Sequence, residues 1–118
     1  MRKLALVAVG AAALGLAVAG SAMTSPKSKG TVGPGFTITL KSLQGQVVKT
    51  LTPGAHTFVL ADKADIHNFS IKGPGLSKQL TGTSFVGTKT VTVTLKKGTY
   101  TYYCSVHPTQ IHHTFTAK

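Results

Sequence analysis

Cys104, Ser105, Val106 and His107 place a thiol and an imidazole three residues apart, and Cys104 is the only cysteine in 118 residues. A lone cysteine forms no intramolecular disulfide, so it is an inert buried thiol, a link between chains, or a group that does chemistry. A Cys-x-x-His spacing is a weak signal by itself. His67 supplies a second imidazole, just after the turn that holds Asp62 and Asp65 and at the head of an apolar run. Two imidazoles and one thiolate in a roughly trigonal plane are the donors of a mononuclear copper centre of the blue, electron-carrying kind. Structural zinc prefers four closed ligands and usually more than one thiolate. His67, Cys104 and His107 are therefore the expected metal ligands, and one copper ion the expected cofactor.

Donors so far apart in sequence need a rigid frame. No helical periodicity of useful length occurs. Short β-branched and aromatic runs alternate with turn signals instead, as in all-β sandwiches. Expected strands cover residues 36–40, 47–51, 56–60, 68–72, 90–95, 99–104 and 114–117, with 76–88 read as loop carrying one short edge strand. Seven to eight strands in so short a domain imply two packed antiparallel sheets, a Greek-key β-sandwich. The two-residue period puts Tyr100, Tyr102 and Cys104 on one side of their strand and Thr99, Thr101 and Tyr103 on the other. If the tyrosines fill the core, Cys104 reaches the end of the sandwich from within, shielded from water but beside the loops. His56 lies in a strand at a position read as surface, where a structural role suits it better than ligation.

Two stretches carry a family resemblance. The run from Ile66 to Gly75 (IHNFSIKGPG) resembles the first ligand strand of small bacterial cupredoxins, the plastocyanin-like blue copper proteins. The run from Lys97 to Pro108 (KGTYTYYCSVHP), closed by Thr114-Phe115-Thr116, resembles their second ligand loop. The likeness spans roughly residues 35–118. It implies a cupredoxin-like, eight-stranded sandwich with copper at one end, equatorial ligands at His67, Cys104 and His107, and Asn68 tying the two ligand loops together. The family's axial Met is missing, since the loop from His107 to His113 (HPTQIHH) contains none and the only methionine besides Met1 is Met23. Ile111 aligns with the absent Met and cannot coordinate, which would favour Cu(I). Gln110, just before it, could offer an amide oxygen that favours Cu(II). His112 as a fourth ligand would give a tetragonal site; otherwise His112 and His113 are exposed loop residues, able to take up a second copper or to respond to pH.

The start of the chain reads as an export signal. Arg2 and Lys3 precede an uncharged apolar stretch from Leu4 to Ala19, and small residues follow at Ala17-Val18-Ala19 and Gly20-Ser21-Ala22. Cleavage after Ala22 or Ala19 is expected; retention as an anchor is the alternative, although the stretch is shorter than the roughly 20 residues of a spanning helix. The expected organisation is thus a signal peptide at 1–22, a flexible Ser/Lys/Gly/Pro-rich leader at 23–35, and the cupredoxin-like domain at 36–118. The destination is the periplasm, the cell envelope or the exterior. Beyond the signal, eleven lysines face only Asp62 and Asp65, a formal charge of +9. Scattered lysines without arginine argue against nucleic acid. An acidic redox partner protein or an anionic envelope surface fits the charge, and so does a merely solvated face. A monomer is expected.

No catalytic set is visible, so the sequence reads as a non-enzymatic carrier of single electrons. Two rivals stand beside that reading: a copper carrier or buffer of the envelope without redox cycling, and a metal-free module that keeps the fold only.

Overall fold

The computed structural model describes residues 25–118. The expected export signal lies outside the described residues. Nine strands occur among them: β1 (Lys27–Val32), β2 (Ile38–Ser42), β3 (Thr50–Leu51), β4 (Gly54–Asp62), β5 (Ser70–Gly73), β6 (Leu76–Gln79), β7 (Gly87–Leu95), β8 (Gly98–Tyr103) and β9 (His112–Ala117). One sheet runs β2-β1-β4-β7 and the other β3-β9-β8-β5-β6. The two faces share one core. Val32, Ile38, Leu40, Phe58, Leu60, Val93 and Leu95 meet Phe69, Ile71, Tyr100, Tyr102, Cys104, Phe115 and Ala117. This is the expected β-sandwich. No described helix is long and apolar enough to cross a membrane.

The strand alternation read from the sequence holds best at β8. Tyr100, Tyr102 and Cys104 are at most 1% exposed, whereas Thr101 and Tyr103 are partly open to solvent. Tyr100 also fastens a corner: its hydroxyl donates to the Pro74 carbonyl at 2.6 Å and accepts from Lys96 N–H at 2.8 Å. A Cβ at Gly73 would overlap the Tyr100 ring, so only glycine lets β5 cross there.

Four expectations are corrected. Residues 27–32, read as part of a flexible leader, form β1, an interior strand paired antiparallel with β2 and parallel with β4. Its inward positions are Ser28, Gly30 and Val32. Two of these are too small or polar to register as a hydrophobic alternation, yet a Cβ at Gly30 would lie 2.6 Å from Leu60 Cδ2 and 2.8 Å from Phe69 Cε2. The sheets close tightly over a residue with no side chain. Second, the sheets are mixed rather than antiparallel, since β9 also pairs parallel with β3. Third, the expected strand at 47–51 shrinks to Thr50–Leu51 plus one bridge from Val47 to Lys41. Fourth, His56 points inward and is 2% exposed, with its Nε2–H donating to the Thr52 carbonyl at 2.6 Å. It is a structural histidine inside the sandwich, not on its surface.

Candidate metal centre

Two loops at one end of the sandwich carry the donors. The first leaves β4 at Asp62, a carboxylate only 1% exposed. Asp62 accepts hydrogen bonds from Ala64 N–H at 3.2 Å and from the Thr81 hydroxyl at 2.8 Å, and the Thr81 oxygen accepts from Phe69 N–H at 2.8 Å. The loop between β4 and β5 is thereby pinned at both ends. Burial pushes the Asp62 carboxyl above its ordinary value, against the opposing pull of Thr81, Ala64 and the neighbouring His67. His67 follows the turn, with its N–H reaching the Ala64 carbonyl at 3.4 Å.

The second loop joins β8 to β9. Cys104 N–H donates to the Ile111 carbonyl at 3.0 Å, which closes the loop at its base. Inside, His107 N–H donates to the Cys104 carbonyl at 3.1 Å and Ile111 N–H to the His107 carbonyl at 3.0 Å. These tight turns swing the His107 ring back over the thiol.

The ligand atoms converge. Cys104 Sγ lies 3.8 Å from His67 Nδ1 and 3.9 Å from His107 Nδ1, and the three donors fall within 4.8 Å of one another. An ion bound about 2.0–2.1 Å from nitrogen and about 2.3 Å from sulfur needs N···S edges of about 3.7–3.8 Å in a trigonal plane, against about 3.5 Å in a tetrahedron. The two observed N···S edges lie near the planar value. His67 and Cys104 are fully buried and His107 is partly exposed. His67 Nε2 is buried without a hydrogen-bond partner among the described residues, so this ring is oriented by packing and by what its Nδ1 faces.

Asn68 joins the loops. Its Nδ2 donates to the Thr83 hydroxyl at 2.9 Å and the Ser105 hydroxyl at 2.8 Å. Its Oδ1 accepts from Ser70 Oγ at 2.8 Å and Ser105 N–H at 3.0 Å. Its backbone N–H points at Cys104 Sγ, 3.4 Å away, a further tie between the two loops.

Of the residues weighed for a fourth position, Ile111 is fully buried in the core cluster that contains Cys104. Gln110, His112 and His113 are exposed, and the two histidines stand outside the three-donor group. His113 rests against the Tyr102 ring, 5.9 Å between centroids.

The site also gathers residues that the sequence did not single out. Asp62 and Thr81 fix the first loop, and Thr83 and Ser105 receive Asn68. Phe36 packs against both imidazoles, 5.1 Å from the His67 ring and 4.6 Å from the His107 ring. Only Ser105, adjacent to the cysteine, carried a positional hint. Phe36 and Thr81 reach the site from distant segments through the topology.

No family model matches the chain, and no curated protein matches it. Among solved structures it is similar to a methionine-to-glutamine variant of rusticyanin, at 23% identity and TM-score 0.51 over 78% of this chain and 76% of that one. It is also similar to a rusticyanin described as a copper protein, at 22% identity, TM-score 0.50 and the same coverage. A Sinorhizobium pseudoazurin aligns at 22% identity and TM-score 0.46 over 79% of this chain and 74% of that one. The likeness defines the fold: the chain is a cupredoxin-like sandwich, and its His-Cys-His group fits a blue-copper donor set that lacks the axial Met.

Proposed function

We propose that this protein is an exported blue-copper electron carrier, in which His67, Cys104 and His107 hold one copper ion. The observation that carries the reading is the convergence of two Nδ1 atoms on one thiol at 3.8 and 3.9 Å, inside a cupredoxin-like frame. Bound there, copper would supply one-electron redox chemistry. The chain's own residues do the rest. Cys104 Sγ, held by the Asn68 N–H at 3.4 Å, is the soft donor that selects copper. The Asn68 amide and the Asp62–Thr81–Phe69 chain hold both loops in place, so little reorganises when charge moves. Ile111, buried in the same core cluster as Cys104, is a group that cannot ligate. The partly exposed His107 edge is the electron port. A +9 mature surface attracts an acidic redox partner and makes encounter rates fall as salt rises. The protein acts as a carrier, not an enzyme, in the periplasm or at the cell exterior.

The test is titration of purified residues 23–118 with Cu(II), followed by absorption and voltammetry. An intense red-region band that saturates at one copper, with a reversible one-electron wave, supports electron transfer. Stoichiometric binding with only weak d–d absorption favours a copper carrier instead.

A further inference from the structure

We infer that Phe36 is the cover of this centre: it fixes the orientation of both imidazoles and closes the metal's outer side to small ligands. The inference rests on the proposed copper site. The rings of Phe36, His67 and His107 form a closed triangle. Phe36 meets His67 at 5.1 Å and 81°, and His107 at 4.6 Å and 55°, while the two imidazoles lie 5.0 Å apart at 80°. One side chain thus touches both nitrogen ligands, although they belong to different loops. Edge-to-face and tilted arrangements at these distances are the favourable ones for aromatic pairs.

The segment bearing Phe36 is held against the site. Gly33 N–H donates to the Thr37 carbonyl at 2.9 Å, and Lys63 N–H donates to the Val32 carbonyl at 2.9 Å, which ties the base of this turn to the His67 loop. Gly33 has φ +75°, and a Cβ there would lie 2.8 Å from Ala64 Cβ and 3.6 Å from His67 Cδ2. The turn is therefore pressed onto the ligand loop by a residue only glycine can supply. Phe36 itself is 52% exposed, so about half of it meets solvent while its ring lies beside both imidazoles. His67 behind it is left fully buried.

Azide is the probe, added to copper-loaded wild type, Phe36→Ala and Phe36→Tyr and followed by absorption and electron paramagnetic resonance. The half-exposed ring contributes little to the core, so the Ala variant folds and loads copper. The expected result is no azide response in the wild type or the Tyr variant, and a saturable azide-to-copper band with loss of the thiolate band in Phe36→Ala. Azide binding by wild type, binding by the Tyr variant, or an inert Ala variant overturns the inference while leaving the copper reading intact. A wild type with no thiolate–copper band overturns both.

Discussion

Asn68→Ala removes an amide that makes four hydrogen bonds, two of them to Ser105 in the other ligand loop, and its cost follows from who is left behind. Each bond contributes about 1 kcal/mol net, about 4 kcal/mol in all. Ser105 is exposed and Thr83 half-buried, so water replaces the amide there at small cost. Ser70 is 1% exposed and loses the acceptor of its hydroxyl, which carries the full penalty of an unpaired buried donor. The loss should be roughly 2–4 kcal/mol, or about 10–25 °C in Tm for a domain of this size. The assay is urea unfolding of metal-free protein, with an unchanged m-value showing that both states keep their compactness. A double-mutant cycle with Ser105→Ala should give a coupling of about 0.5–3 kcal/mol. A loss below about 1 kcal/mol, or no coupling, would show that Asn68 does not clamp the loops.

Further outcomes follow from the same geometry. Ile111→Met should lower the reduction potential by offering a thioether where the buried isoleucine offers nothing, while Gln110→Ala, altering an exposed side chain, should leave it unchanged; voltammetry of the two variants separates them. Asp62 has its folded-state pKa raised by burial, so its contribution to stability is fully present below the unfolded pKa and is lost as pH rises through the folded one. Urea unfolding of metal-free wild type and Asp62→Asn from about pH 4 to 7 should therefore show the difference shifting in favour of Asn as pH rises, and a constant difference would contradict it. Gly30→Ala should cost about 1–3 kcal/mol through overlap with Leu60 and Phe69, despite being a change to a better strand former.

Where side-chain alternation coincides with burial, the sequence was readable. β8 announced its inward tyrosines and the placing of Cys104, because large apolar groups occupy every second position. β1 was hidden for the opposite reason: its inward residues are Ser28, Gly30 and Val32, and the closeness of the sheets rather than side-chain bulk fills the space. The parallel pairings of β1 with β4 and of β3 with β9 arise from long-range topology, which no local pattern encodes. His56 misled because a polar ring in a strand reads as surface, whereas here the ring is buried with only its Nε2 bonded, to the Thr52 carbonyl. At the site, the three donors stood out by chemical type and spacing. Phe36 did not, since an aromatic at a strand start looks like any other until the β1–β2 turn is laid across the His67 loop.

X-ray absorption at the copper edge of the singly loaded protein tests the centre most directly. A His67–Cys104–His107 site gives one short sulfur and two imidazole nitrogens around each copper. A shell of nitrogen and oxygen donors without sulfur, or four imidazole-type ligands, would contradict it and move the copper off Cys104.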